Sequence, residues 1–98
     1  MESIVELTLK EYVYLEWIKQ NNGRLTVIGT RARLRLIKEI AKTLSSKRLL
    51  YYEDLISKEI EKSGRYFLID IEFKNAKFLD YKIVDTLGGI VKLRINSK

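Results

Sequence analysis

The sequence predicts an α+β fold in which several helices precede a carboxy-terminal β-hairpin. Apolar residues recur at helical spacing over residues 9–21 and 31–44. Two β-rich runs, 81–85 and 90–95, flank the turn Gly88-Gly89, a pattern typical of a hairpin. With 98 residues, of which 46% are hydrophobic and 33% charged, the chain has the length and composition of one compact folded domain.

The first helix is expected over residues 9–21. Thr8 and Glu11 form a capping-box pattern, in which hydroxyl and carboxylate satisfy each other's backbone donors. Gly23 supplies a left-handed stop at the other end. Residues 4–7, before the helix, are expected to form a short extended arm.

The second helix is expected over residues 31–44, capped by Thr30 and preceded by a strand or stiff linker over 24–29. Its apolar residues fall at helical spacing and are expected to face the core: Leu34, Ile37, Ala41 and Leu44. Its cations occupy the opposite face: Arg31, Arg35, Lys38 and Lys42.

Positive charge is concentrated in one part of the chain. Residues 1–23 carry a net charge of −2, residues 24–48 carry +7 and the remaining residues +1, within a formal total of +6. A local basic field of this kind indicates a surface that binds a polyanion.

Several classes of function are disfavoured by what the chain lacks. It contains no Cys and no His, which removes thiolate chemistry, disulfides, the commonest general base and the commonest metal ligand. We therefore expect no enzymatic activity, no cofactor and no metal. No apolar run approaches the ~18 residues of a membrane span, and a cytoplasmic location is expected. The absence of Pro and the abundance of Ile, Lys and Glu resemble the composition of hyperthermophilic archaeal proteins.

The middle of the chain supports two interpretations. Residues 48–52 look like a brief strand that enters a helix with an acidic first turn at Glu53-Asp54. Over 65–79, one set of apolar residues alternates as in a strand: Ile69, Ile71 and Phe73. Another set has helical spacing: Tyr66, Ile69, Phe73 and Ala76.

Residues 31–95 resemble a winged helix-turn-helix domain of archaeal transcription regulators. The helix 31–44 is similar to the first helix of that family, and 50–55 resembles the strand before its second helix. The stretch 73–79 resembles the end of a recognition helix, and 81–95 the wing hairpin. In an alternative register the helices are 9–21, 31–44 and 47–62, and a sheet is formed by 65–74, 81–86 and 90–95. Either version implies a winged-helix domain over 24–98, with 1–23 as an added arm and helix.

This resemblance implies a protein that binds double-stranded DNA, either a specific sequence or DNA in general, and that serves as a small transcription regulator. The expected DNA contacts come from the second helix, the start and end of the recognition helix, and the outer face of the wing. They are Arg31, Arg35, Lys62, Ser63, Arg65, Lys74, Lys77, Lys92 and Arg94. RNA is an alternative to DNA, because a basic helix serves both.

The aromatic residues of the first helix support two interpretations: packing of Trp17 on the core of its own domain, or a homodimer contact through Tyr14 and Trp17. Two other functions stay open. One is a non-catalytic protein-interaction module, such as a viral or plasmid-encoded inhibitor. The other is a small metal-dependent nuclease, because Glu72 and Lys74, with Asp54 or Asp70 upstream, match the carboxylate-carboxylate-lysine pattern of such sites.

Overall fold

The structure is a computed structural model that describes residues 2–60 and 64–96. It contains six strands and two α-helices over these residues, in the order β1 (Glu2–Thr8), α1 (Leu9–Gln20), β2 (Arg24–Thr30), α2 (Arg31–Ser46), β3 (Tyr51–Glu59), β4 (Tyr66–Lys74), β5 (Tyr81–Leu87) and β6 (Ile90–Asn96). A single 3-10 turn, Ala76–Phe78, separates β4 from β5.

The strands form two antiparallel sheets of three strands each. The terminal sheet has the order β1-β6-β5, so that the first and last strands of the described chain are paired. The central sheet has the order β2-β4-β3. Helix α1 packs on β1 and β6, helix α2 packs on all three strands of the central sheet, and the two helices contact each other.

One hydrophobic core joins the two sheets and the two helices. Its fully buried large side chains come from every part of the chain: Leu7, Leu15, Ile18, Leu25, Ile37, Leu44, Leu49, Leu50, Ile69, Ile71 and Leu93. Among the described residues no polar or charged side chain is buried. The amino-terminal arm and helix therefore belong to the same core as the rest of the chain.

Both helices of the first half are confirmed. Thr8 and Glu11 form the predicted capping box, with the Thr8 amide donating to Glu11 Oε1 at 2.8 Å and the Glu11 amide donating to Thr8 Oγ1 at 3.2 Å. Helix α1 ends at Gln20, and α2 runs two residues beyond the predicted end, to Ser46. The expected extended arm is strand β1, and 24–29 is a strand, extended by one residue as β2.

The winged helix-turn-helix prediction is wrong, because neither of its last two helices exists. Residues 53–59, which were predicted to be helical as the second helix of that motif, belong to strand β3, and the predicted recognition helix is strand β4. The alternative register was right that 65–74 is extended, but its helix over 47–62 is also wrong. The hairpin 81–95 is confirmed as β5 and β6, yet it is no wing, because β6 is the middle strand of the terminal sheet.

Two coincidences of spacing explain this error. In β4, Ile69 and Phe73 are four residues apart, a distance that places them on one face of either a strand or a helix. In β3, a register shift between Tyr52 and Asp54 inserts one residue, so that Tyr52 pairs with Phe73 and Leu55 with Ile71. A bulge thus puts two residues at i and i+3 against the same core and imitates the helical period.

Gly23 lies at the junction between α1 and the central sheet. Its φ of +91° is in the left-handed region. Its amide donates to the carbonyl of Ile18 at 2.8 Å, and its carbonyl accepts from the amide of Phe73 at 2.7 Å. A Cβ at this position would lie 2.8 Å from the Phe73 carbonyl oxygen, closer than real Cβ atoms approach backbone. A side chain would therefore push α1 away from β4.

We expect Gly23→Ala to lower the free energy of unfolding by about 2–4 kcal/mol, from left-handed strain plus the clash with Phe73. The matched control is Gly88→Ala, where φ is +60° but nothing lies within 4 Å of the added Cβ. Gly88→Ala introduces left-handed strain without a clash, so its free energy of unfolding should fall by about 1–2 kcal/mol. Chemical denaturation of both variants measures the difference, and equal losses would contradict the close packing inferred at Gly23.

A cross-strand ion pair joins β2 to β4 on the outer face of the central sheet. Arg24 donates to Asp70 from Nε at 3.1 Å and from Nη2 at 2.8 Å, and Thr26 Oγ1 donates to the same carboxylate at 2.9 Å. The hydrogen bonds from Arg24, and then that from Thr26, lower the pKa of Asp70 below its ordinary value. The ionised carboxylate is therefore favoured in the folded state.

A lowered pKa in the folded state stabilises the protein above the pKa of the unfolded carboxyl, about 3.9, and this contribution is lost as the pH falls from there through the lowered pKa of the folded carboxyl. We expect Asp70→Asn to reduce stability at pH 7 and to have a smaller effect at pH 2.5, where part of this contribution has been lost. Urea unfolding at the two pH values measures this. Asp85→Asn, at an exposed position on β5, is the control and should have little effect at either pH. A loss of equal size for Asp70→Asn at both pH values would refute the charge-based explanation.

Candidate nucleic-acid interface

Four cations form a single row along α2, which we call the basic stripe: Arg31, Arg35, Lys38 and Lys42. All four are exposed, whereas the residues predicted to face the core, among them Leu34 and Leu44, are buried. A spacing of i, i+4, i+7 and i+11 keeps the four side chains on one face over a helix length of about 16 Å. The stripe is therefore a direct consequence of the burial of the other face.

The charges of the basic stripe are not neutralised within the described residues. The ion pairs found there join Arg24 to Asp70 and Lys92 to Glu6, and neither involves the stripe. Glu39 is the single acidic residue in the α2 sequence. A solvent-exposed row of cations without carboxylate partners is available to an anionic ligand.

This arrangement is unfavourable for the helix itself. The first turn of α2 contains Arg31 and Arg33 and no acidic residue, although the positive end of a helix dipole favours anions. Within the stripe, like charges are neighbours at i+3 and i+4, which costs about 0.2–0.5 kcal/mol per pair. The helix forms because its other face is buried, and its exposed face would gain stability from bound anions.

Two of the arginines at the start of α2 are held by aromatic rings. The guanidinium carbon of Arg31 lies 5.4 Å from the centroid of the Phe67 ring, and that of Arg33 lies 5.9 Å from the centroid of Trp17. Cation–π contacts of this kind orient a guanidinium without cancelling its charge. Both arginines are thus positioned and still able to pair with an anion.

Gly29 makes room for one of these arginines. The side chain of Arg33 lies across the backbone of β2 at this residue, and a Cβ on Gly29 would come within 2.7 Å of Arg33 Cδ. The φ of Gly29 is not in the left-handed region, so the requirement for glycine here is space rather than backbone conformation. The absence of a side chain at Gly29 therefore allows Arg33 to lie against the strand.

A cleft of about 480 Å³ lies where α2 begins, beside the edge strand β2. Its walls are mostly apolar or aromatic and come from both helices and from two strands of the central sheet, with Arg33 as the charged member. They include Tyr14, Ile28, Thr30, Arg33, Leu36 and Tyr66. Arg33 and Leu36, which line the cleft from α2, lie more than about a third of a turn around the helix from the centre of the basic stripe, and both surfaces begin in the first turn of α2.

The cations predicted on the wing strand lie elsewhere. Lys92 and Arg94 alternate with the buried Val91 and Leu93, which places both on the outer face of the terminal sheet, as expected from the alternation. Lys92 forms an ion pair with Glu6 of β1 at 3.6 Å. The ion pair between β1 and β6 thus reduces the positive charge of β6. Because β6 is the middle strand of its sheet, its cations do not lie on a wing.

The cations predicted on the recognition helix are also dispersed. Arg65 is exposed just before β4, and Lys74 is the last residue of β4, so about 30 Å of extended chain separates them. Lys62 and Ser63 lie outside the described residues, as does the side chain of Lys77. Arg65 is the one of this group near the basic stripe, because Tyr66, the next residue, pairs with Thr30 at the start of α2.

The two aromatic residues predicted to form a dimer contact have partners within the same chain. Tyr14 is only 8% exposed and belongs to the core, and its ring centroid lies 5.7 Å from that of Trp17. Trp17 is partly buried against the core and is covered by Arg33. These contacts match the alternative in which Trp17 packs on its own domain.

The residues of the nuclease hypothesis do not assemble a metal site among the described residues. Asp70, Glu72 and Lys74 do share the outer face of β4, and Asp54 is paired with Glu72, although its side chain is not among those described. The Asp70 carboxylate, however, is occupied by Arg24 and a threonine. No group of three or more potential ligands is found in the part of the chain that the structure describes.

Four residues of this interface were missing from the predicted DNA contacts. Lys38 and Lys42 continue the spacing of Arg31 and Arg35, so their membership could have been inferred from the sequence. Arg33 and Tyr66 could not, because their positions depend on β2 lying beside β4.

No protein-family model, curated protein or solved structure matches the chain. Within the described residues, neither helix combines the length and the apolar character needed to cross a membrane.

Proposed function

We propose that this protein binds double-stranded DNA through its phosphate backbone, using the basic stripe of α2. The observation that carries the proposal is the exposed row Arg31, Arg35, Lys38 and Lys42, which has no carboxylate partner among the described residues. Cations that neutralise phosphates release condensed counterions from the duplex, and this release supplies affinity that does not depend on sequence.

The composition of α2 favours general over sequence-specific binding. Base readout in the major groove commonly uses Asn or Gln on adenine and Arg or Lys on guanine. Helix α2 contains no Asn or Gln, and its exposed face is dominated by the stripe. Backbone contacts position a protein on DNA without reading its sequence. We therefore favour a general DNA-binding protein over a regulator that recognises one operator; RNA duplexes remain an alternative ligand for the same stripe.

A protein-interaction module is the second candidate function. Ile28 is 66% exposed and pairs with Leu68, itself 37% exposed, on the outer face of the central sheet. Exposed apolar neighbours of this kind are common in protein interfaces. Absence of any mobility shift of duplex DNA at low salt would favour this candidate over DNA binding.

The homodimer through Tyr14 and Trp17 stays a prediction. The burial of Tyr14 in the core argues against it, because a dimer contact at that ring would need the first helix to move. Sedimentation of the protein alone measures its oligomeric state directly.

We expect the double variant Arg31→Glu/Arg35→Glu to weaken binding to duplexes of any sequence. If the four cations of the stripe each neutralise one phosphate, the slope of log K against log salt concentration is about −3.6, and removal of two of them reduces it by about two units. Fluorescence anisotropy of a labelled duplex at several salt concentrations measures both quantities.

The matched control for this experiment is Lys10→Glu/Lys82→Glu, which changes two exposed cations outside α2 and produces the same net charge. The control should keep most of the slope of the unmodified protein. Equal losses in the two double variants would mean that only overall charge matters, and the assignment of the stripe would be wrong.

Lys38→Glu should have opposite effects on stability and on binding. A glutamate at 38 would face Lys42 at i+4 and Arg35 at i−3, which replaces two repulsive neighbours by attractive ones and stabilises the protein by about 0.5–1 kcal/mol. DNA affinity should fall at the same time. Thermal unfolding and anisotropy measure the two effects, and a lower melting temperature would contradict the inferred repulsion within the stripe.

A further inference from the structure

We propose that the cleft at the start of α2 receives an unstacked nucleobase from a strand that passes around the first turn of the helix from the basic stripe. This inference rests on the proposed DNA binding and adds a preferred form of DNA to it: duplexes that end in, or are interrupted by, a single-stranded segment. The ligand chemistry is an aromatic base joined to a phosphate.

The size and lining of the cleft suit a base. It is an open groove at the edge of the central sheet, and its volume of about 480 Å³ leaves room for a base with one face exposed to solvent. Tyr66 is 43% exposed and Ile28 is 66% exposed, so both present surface to a ligand rather than to the core. Aromatic side chains stack on bases of any identity, which fits a protein that does not read sequence.

The charge around the cleft suits the phosphate that accompanies the base. Arg33 forms part of the wall, held across Gly29 and against Trp17. Arg31 begins the stripe two residues earlier. The first turn of α2 contains no acidic residue that would repel a phosphate. Arg33 is thus the cation beside the stacking wall, and the basic stripe lies around the first turn of α2 from it. Proteins that bind single strands combine the same two elements, an aromatic wall and a row of cations.

The same charges argue against a second copy of the chain as the occupant. A two-fold contact through the cleft would bring Arg31 and Arg33 of one copy against the same residues of the other. This segment of the sequence, residues 24–48, carries a net charge of +7. Repulsion between like surfaces disfavours such a dimer, whereas a polyanion neutralises it.

The test compares three probes with the unmodified protein at one salt concentration: a blunt 20-base-pair duplex, the same duplex with a three-nucleotide single-stranded extension, and deoxyadenosine monophosphate. Base stacking on an aromatic side chain predicts an affinity for the extended duplex about tenfold above that for the blunt duplex. The monophosphate alone, which lacks the strand that lies on the stripe, should bind at least 100-fold more weakly than the extended duplex.

Two tyrosine variants locate the effect. Tyr66→Ala removes the aromatic wall, and Tyr51→Ala removes a tyrosine with the same 43% exposure in the same sheet, at the opposite end of β4. Tyr66→Ala should abolish the preference for the extended duplex while leaving blunt-duplex binding intact. Tyr51→Ala should leave both unchanged.

Each outcome decides one of the two proposals. If the blunt duplex binds but the extension adds nothing, or if the preference survives Tyr66→Ala, the cleft does not take a base, although duplex binding stands. If the monophosphate binds as tightly as the extended duplex, the cleft takes a free nucleotide and not a strand, which overturns the inference. If the extended duplex binds through Tyr66 and the blunt duplex does not bind, duplex binding by the stripe is refuted and the base site is upheld.

Discussion

The burial of one face of α2 against the central sheet determines where the positive charge of this protein lies. Leu34, Ile37 and Leu44 are buried in the common core, and their burial fixes the rotation of α2 about its own axis. Because side chains recur every 3.6 residues, the four cations of the basic stripe then form a row on the open side, whereas Arg33 lies on another face. Burial of the other face is therefore sufficient to align the cations of the stripe. The same constraint fixes the start of the helix beside the edge of β2, where Arg33 crosses Gly29 and the cleft opens.

How much of this could be predicted from the sequence depends on how local each contact is. The capping box at Thr8, the two helices and the hairpin around Gly88 rest on residues a few positions apart, and all of them were predicted. Most of β3 was not, because its pairing with β4 contains a bulge after Tyr52 that conceals the alternation of a strand, and β4 was predicted as a strand in the alternative register alone. The pairing of β1 with β6 could not be predicted from local sequence patterns either, because it joins residues far apart in the sequence, such as Glu6 and Lys92.

The site divides in the same way. The basic stripe is a property of one helix, so spacing alone predicted its four members to share a face, and the burial of the opposite face agrees with that prediction. The dispersal of the other predicted DNA contacts is a property of the fold. Lys74 and Arg65 are close in sequence but stand at opposite ends of a strand, where a helix would have brought them within about 14 Å. An error in secondary structure thus became an error in the shape of the predicted interface.

The proposed interface differs between the two ends of α2, because the cleft lies at the end where the helix begins. Cations without carboxylate partners among the described residues follow the axis of α2 from Arg31 to Lys42, and the cleft lies beside the first turn of the helix, on another face. A bound strand would therefore contact the stripe along the helix and pass around its first turn to place a base in the cleft. The charges that make the helix less stable in isolation are the ones that a strand would neutralise. Leucine and isoleucine side chains on the opposite face of α2 are buried in the core. Their burial stabilises the helix, and with it the row of cations, in the absence of a bound polyanion.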